Sequence, residues 1–258
     1  MFEVVNYSTL AITKGNTNNG YIAAYAKKII TPEDTDSILI NHNDFIFYNN
    51  GTSWYLMGYV GAEEQIILPE NYEDENYLIN NYCFVGSGIK NITIPNTITT
   101  LPDYFCYWCS FLETVEIPEN ITKIGYYAFQ YTGRLNLLNY KAKAATSASH
   151  AFSCSGYLED GIEINIENNV KILPGSMFGT SSGDYTKIKI LNIKNPEGLT
   201  IKSGFFSTYC TNNLMEVYVP TIEDWFKIVF ENGTSNPLNI TGTKLCFGED
   251  KILLENLE

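Results

Sequence analysis

Cys106 and Cys109, in the segment DYFCYWCSF, form a Cys-x-x-Cys pair of the kind that does redox chemistry or supplies half a zinc site. A structural zinc site needs a second pair, or two histidines at ligand spacing. The other cysteines, Cys83, Cys154, Cys210 and Cys246, are scattered, and the two histidines, His42 and His150, stand alone. A hydrolytic triad therefore has no base near a nucleophile in sequence. Carboxylates cluster at Glu63-Glu64, Glu73-Asp74-Glu75 and Glu223-Asp224. Glycoside hydrolysis wants two carboxyls about 5–10 Å apart across a cleft, one with a raised pKa. These pairs lie in polar, turn-like surroundings and read as solvated surface. The acidic run NYEDENY lacks the alternating Asp/Asn and Gly spacing of a calcium loop. Gly-rich phosphate loops are absent. The expectation is no catalytic residue, no metal and no cofactor, hence no enzyme, with both cysteines of the pair buried as small hydrophobes and unlinked.

Charge narrows the partners. Sixteen Lys+Arg against 29 Asp+Glu leave a net charge of −13, which disfavours nucleic acid. No run of about 18 apolar residues offers a membrane span, and the start, MFEVVNYSTLAITKGN, lacks a basic region followed by an apolar one. Apolar residues make up 45% of 258 positions, enough for a core. The 28 Asn and 19 Gly point to many tight turns. Sequons at Asn91, Asn120 and Asn239 arise by chance in a chain so rich in Asn and Thr.

The elements that would position any site repeat. Short alternating strands end in proline at Ile92-x-Ile94-Pro95, Val115-x-Ile117-Pro118 and Val217-x-Val219-Pro220, with Pro69 marking an earlier copy. Proline ends each strand because it has no N–H for a ladder. An aliphatic residue then precedes an aromatic by five positions: Ile79 and Phe84, Ile124 and Phe129, Leu173 and Phe178, Ile201 and Phe206. Leu101 points to Cys106, with Phe105 one position early, and Phe152 marks another copy. Successive spacings of 22, 23, 23, 26 and 28 residues fall in the leucine-rich repeat range. Each unit has a strand too short to stand alone, and stacking neighbours builds one core. Strands are expected near 91–94, 114–117, 136–140, 163–166, 189–193 and 216–219, with Phe84, Phe129, Phe152, Phe178 and Phe206 in one buried row.

If alternate residues face inward, the outward stripe is Thr93, Glu116, Asn139, Asn165, Asn192 and Tyr218. It is polar and mildly acidic, suited to a protein or glycan held by many weak contacts. A structural spacer is the alternative reading, since few Trp or Arg lie on the stripe.

The segment ETVEIPENITKIGYYAFQYTGRL resembles, over its whole length, the BspA-like (treponemal-type) leucine-rich repeat. The resemblance implies an α/β leucine-rich-repeat solenoid. It would be strand-rich, with short helical or turn convex segments, and wound as a right-handed superhelix with a parallel sheet on its concave face. It further implies a bacterial protein, secreted or at the cell surface, that binds a macromolecule in adhesion to a host or matrix protein or a glycan. No catalytic residue carries over, because the motif is structural.

Residues 66–220 are expected to hold about six such repeats. Residues 1–65 read as a repeat remnant at 2–5, a short helix at 21–29 with Ile22, Tyr25, Ala26 and Ile29 on one face, and a hairpin at 45–60 turning at Asn49-Asn50-Gly51. Residues 221–258 read as a helix capped by Thr221 with Asp224, a turn at Ser235-Asn236-Pro237, and, in KILLENLE, the start of a further repeat. Trp54 and Trp225 are assigned to core packing. Neither end shows a polar cap, so a monomer with end-to-end contacts at uncapped ends is expected.

Overall fold

A computed structural model describes residues 10–12, 22–24, 39–179, 185–206, 215–240, 242–248 and 250–253. The central element is a nine-stranded sheet. Eight of its strands run parallel, one per turn of a solenoid: Gln65–Ile67, Asn91–Thr93, Thr114–Ile117, Leu137–Tyr140, Ile162–Ile166, Ile188–Ile193, Glu216–Tyr218 and Lys244–Phe247. All six strand positions read from the sequence hold to within about a residue. Period-2 alternation explains the match. Ile66, Ile92, Val115, Leu138, Ile164, Leu191, Val217 and Leu245 form one buried file, and Leu68, Ile94, Ile117, Tyr140, Ile166, Ile193 and Val219 form a second. A slip of one residue would turn both files to solvent, so burial fixes the register.

The return path of each turn is made of two-residue strands and tight turns, with very little helix. Thr100–Leu101 pairs with Lys123–Ile124, and Ile172–Leu173, Thr200–Ile201 and Val229–Phe230 pair in a second ribbon, all parallel. The buried aliphatics Leu101, Ile124, Leu173 and Ile201 hold this layer against the sheet. Gly125 is required where layers meet: a Cβ there would collide with the backbone of Pro102 in the preceding turn.

The buried aromatic row is present but shifted in two turns. It runs Phe84, Phe105, Phe129, Phe152, Phe178, Phe205, with neighbouring ring centroids 4.8–5.8 Å apart. Phe129 and Phe152 stack at an interplanar angle of 10°. Cys106 holds the landmark slot by backbone register, its N–H bonded to Ala128 as that of Phe129 is to Ala151, yet Phe105 supplies the ring. Phe205 likewise takes the place expected of Phe206, which packs against it at 4.7 Å. A second file follows three residues on, at Ser87, Cys109, Thr132 and Ser155. Its side chains satisfy carbonyls of the aromatic row: Cys109 Sγ donates to Phe84 O at 2.9 Å and Thr132 Oγ1 to Phe129 O at 2.8 Å. Thr186 Oγ1 lies 3.2 and 3.0 Å from the Phe152 and Phe178 carbonyl oxygens. Buried backbone acceptors need such partners, and these small side chains supply them without enlarging the turn.

Several features of the flanks differ from expectation. Residues 22–24 are a strand, not part of a helix: Ile22–Ala24 pairs antiparallel with Leu10–Ile12. An isolated two-turn helix is marginal in water, whereas a hairpin satisfies its backbone across the pair. The remnant at 2–5 and the rest of 21–29 lie outside the described residues. The hairpin Phe45–Asn49 with Trp54–Tyr59 is present, and Gly51 at φ 92° allows its turn. It belongs to a four-stranded sheet, pairing with Leu39–His42 on one side and, in parallel, with Tyr77–Ile79 of the first turn on the other. Phe45, Phe47 and Leu56 join the same buried cluster as Ile66 and Leu68, so the hairpin caps the first turn of the core. The expectation of bare ends fails there, because the hairpin's alternation puts one apolar face on the solenoid. Trp54 packs on Tyr72 at 4.7 Å, and Trp225 is buried against Phe230 at 5.0 Å.

Beyond residue 220, Thr221 Oγ1 accepts from Asp224 N at 3.2 Å and caps the short helix Ile222–Trp225. The turn at 235–237 is carried by 3-10 segments Gly233–Ser235 and Pro237–Asn239. A parallel rung not foreseen follows at Lys244–Phe247, and Asp250–Leu253 folds back antiparallel on it rather than opening a new parallel turn. Two intervening residues leave no length for a crossover, which parallel pairing demands.

Candidate functional site

The six outward residues stand in one unbroken register row. Thr93 and Glu116 each follow directly on the paired residues Ile92 and Val115, then Asn139, Asn165, Asn192 and Tyr218 follow Glu116 as register partners across successive strands, with Ile67 and Cys246 extending the row. Thr93 and Glu116 are exposed, and the other four are half-buried. The asparagines form an amide ladder: Asn165 Nδ2 donates to Asn139 Oδ1 at 3.0 Å, and Asn192 Nδ2 to Asn165 Oδ1 at 2.8 Å. Each such bond uses one of the two N–H groups an amide carries. Tyr218 donates to Glu216 Oε2 at 2.7 Å, and Lys141 Nζ pairs with Glu116 Oε1 at 2.7 Å. A hollow of about 340 Å³ at one edge of the row is lined by Asn96, Glu116, Glu119, Lys141 and Glu167 among others. The face is thus polar, ordered by side-chain bonds, and shallow.

A second surface lies along the turns, two residues before each slot of the aromatic row. Tyr82, Tyr104, Tyr127, His150, Ser176 and Gly204 occupy one structural position, and all have φ between 55° and 69°. Gly86, Trp108, Tyr131 and Cys154 repeat this four residues later, at φ 53° to 64°. Left-handed backbone costs an ordinary residue about 1–2 kcal/mol relative to glycine. Six of these positions nonetheless carry Tyr, Trp or His. Their rings meet along the array: Tyr82 stacks on Tyr104 at 4.4 Å and 6°, Tyr104 lies 5.6 Å from Tyr127, and Tyr127 5.6 Å from His150. Tyr107 and Trp108 meet Tyr131 at 5.6 and 6.0 Å. Trp108 is 52% exposed and Tyr126 39%. The sequence held the signal, since Tyr recurs two residues before three successive slots. What could not be read was the left-handed backbone that turns those rings outward.

The remaining candidates resolve into structure. Cys106 and Cys109 are both fully buried, and Cys109 Sγ donates to the Phe84 carbonyl at 2.9 Å. Both are buried free thiols, as are Cys83, Cys154 and Cys246. Burial pushes the Cys83 and Cys106 thiols up, against ionisation. His42 packs edge-on to Tyr72 at 5.4 Å. Glu64 pairs with Lys90 and Asp224 with Lys227, at 2.7 and 2.8 Å. Glu73 and Asp74 form a left-handed turn. Among the described residues, no group of three His, Cys, Asp or Glu is placed to hold a metal, and no helix is long and apolar enough to cross a membrane.

No curated protein matches the chain. A crystal structure of a leucine-rich repeat protein from Eubacterium ventriosum is similar at a TM-score of 0.45 and 20% identity. The similarity covers 89% of this chain and 53% of that one, so the chain spans about half the length of that protein. The sequence pattern of the BspA type leucine-rich repeat region matches residues 77–212 in six copies. Such repeats build protein-interaction modules and are generally non-catalytic. The matched span holds the strand row from Thr93 to Asn192, the aromatic row and the tyrosine-rich turns described above, while Tyr218 lies just beyond it. The chain, matched over more than half its length by these copies, belongs to the BspA-type leucine-rich repeat family.

Proposed function

We propose that this chain is a non-catalytic interaction module that binds a macromolecule through the outward strand row. Thr93, Glu116, Asn139, Asn165, Asn192 and Tyr218 would be its contact residues. The reading is supported by one observation above others: six residues from six different turns stand in a single register row, with the asparagine amides held in line by their own bonds. An ordered row of polar groups loses little side-chain entropy on binding. The ligand class is a protein or a glycan, and the setting is the bacterial cell surface or its exterior, in adhesion to host or matrix material. The spacer alternative is favoured by the amide ladder, which also strengthens the sheet without any ligand.

Capture on immobilised matrix proteins and on a glycan array tests the reading. Wild type is compared with a variant carrying Glu116→Lys, Asn165→Lys and Tyr218→Ala, with matched circular dichroism as the folding control. Loss of capture by the variant is expected. Equal capture by both would remove the strand row from the function, and capture by neither would leave the spacer.

A further inference from the structure

The ring-bearing turns are unlike the rest of the surface. Across the four turns from Tyr82 to Tyr157 the segments 80–88, 102–111, 125–134 and 148–157 carry two charged side chains, Asp103 and Arg134, in a chain of net charge −13. Both are engaged: Asp103 Oδ1 accepts from Tyr126 N at 2.8 Å, and Arg134 sits 5.6 Å over the Phe111 ring. The strip is thus a run of aromatic faces whose two charges, one of each sign, balance, with Trp108 and Tyr126 among its exposed rings.

We propose that this strip docks an uncharged, proline-rich segment in the polyproline II conformation, laid along the axis of the array. Three observations favour that occupant. The strip has little charge, so its partner should have little. The exposed Trp108 and Tyr126 carry an indole N–H and a phenol hydroxyl, both donors, and a polyproline II chain offers unbonded carbonyl acceptors with no N–H at proline. Its period fits as well. Successive turns are about 4.8 Å apart, so every second turn falls at about 9.6 Å. Polyproline II repeats its faces every three residues, about 9.3 Å. The three steps from Tyr82 to His150 span about 14 Å, enough for about five residues of such a ligand. Aromatic ridges that accept polyproline II are a known mode of peptide recognition. The backbone geometry adds a fourth argument. Bulky rings occupy left-handed positions where the same slots hold Ser176 and Gly204 in later turns, so the rings are concentrated where the strip lies.

The test uses fluorescein-labelled decaproline, with a Gly-Ser decamer and a labelled β-glucan hexamer beside it, read by fluorescence anisotropy on the full chain. Saturable binding of decaproline alone is expected. Trp108→Gly should weaken it about tenfold, since glycine suits the φ of 61° and the ring is half exposed. Tyr126→Ala, at a position of ordinary backbone geometry, should weaken it several-fold. The strand-row triple variant should bind as wild type does, which separates this site from the one proposed above. No saturable decaproline binding by folded wild type overturns the proposal, as does binding untouched by both substitutions. Binding of the glucan in place of decaproline assigns the strip to sugars instead.

Discussion

Tyr140→Phe should stabilise this protein, against the usual direction of core substitutions. Tyr140 ends the strand Leu137–Tyr140 and is fully buried in the inward file with Ile117 and Ile166. Its hydroxyl finds no hydrogen-bond partner among the described residues, and burial pushes its pKa up. A polar group taken from water without a partner costs about 1–3 kcal/mol. Phenylalanine keeps the ring and its packing, and removes one oxygen. The cavity left is smaller than a methyl group, so its cost is a fraction of the gain. A net rise of about 1–2 kcal/mol follows, or about 2–8 °C in melting temperature for a chain of this size. Urea unfolding followed by circular dichroism reads the free energy, and a thermal melt reads the shift. Tyr140→Leu is the control, as it loses both hydroxyl and ring and should fall below wild type. A Phe variant less stable than wild type would refute the reasoning, because it would mean that the hydroxyl is satisfied in the folded chain.

Phe129→Ala should cost about 3–5 kcal/mol, since it empties the middle of the aromatic row between Phe105 and Phe152. Glu116→Ala, on the exposed row, should cost less than about 0.5 kcal/mol in the same urea series, and equal losses would contradict the inward and outward assignments. Glu231 accepts from Ser203 N at 2.7 Å and pairs with Lys202 at 2.9 Å, and these bonds hold its carboxyl below the usual glutamate range. A depressed carboxylate contributes stability above its unfolded pKa and loses it as pH falls through its folded one. Wild type should therefore exceed Glu231→Gln in urea midpoint at neutral pH, and the gap should close as the pH falls below the ordinary glutamate value.

The sheet was legible because its signal is local. Val115-x-Ile117-Pro118 states a strand, its buried face and its end within four residues, and the copies confirm one another. The outward row followed from the same alternation. Long-range pairings were not legible. Nothing in residues 54–59 shows that their partner is Tyr77–Ile79, since that contact depends on which apolar face the hairpin lays on the first turn. At 21–29 the apolar spacing fitted a helix, yet the three described residues, Ile22–Ala24, pair with Leu10–Ile12 as a strand, because so short a segment takes the form its neighbour can pair. Phe105 and Phe205 show a finer limit. Of two adjacent residues in a tight turn, the one that points inward is set by dihedral angles, not by the count from the preceding strand. The same limit hid the aromatic strip, whose tyrosines were visible in the sequence but whose left-handed backbone was not.

The parallel ladder has a mechanical consequence. Its hydrogen bonds run between turns, along the length of the array, so tension applied to the two ends pulls on them end-on instead of sliding strands past one another. Each turn touches its immediate neighbours, and nothing distant shares the load. Stretching should therefore peel turns away singly, each yielding 22 to 28 residues, or about 75–100 Å of slack at full extension. A tether built this way gives ground in steps and dissipates work at every one. Anything held on the strand row or the aromatic strip would stay bound until the turns that form its own site come apart.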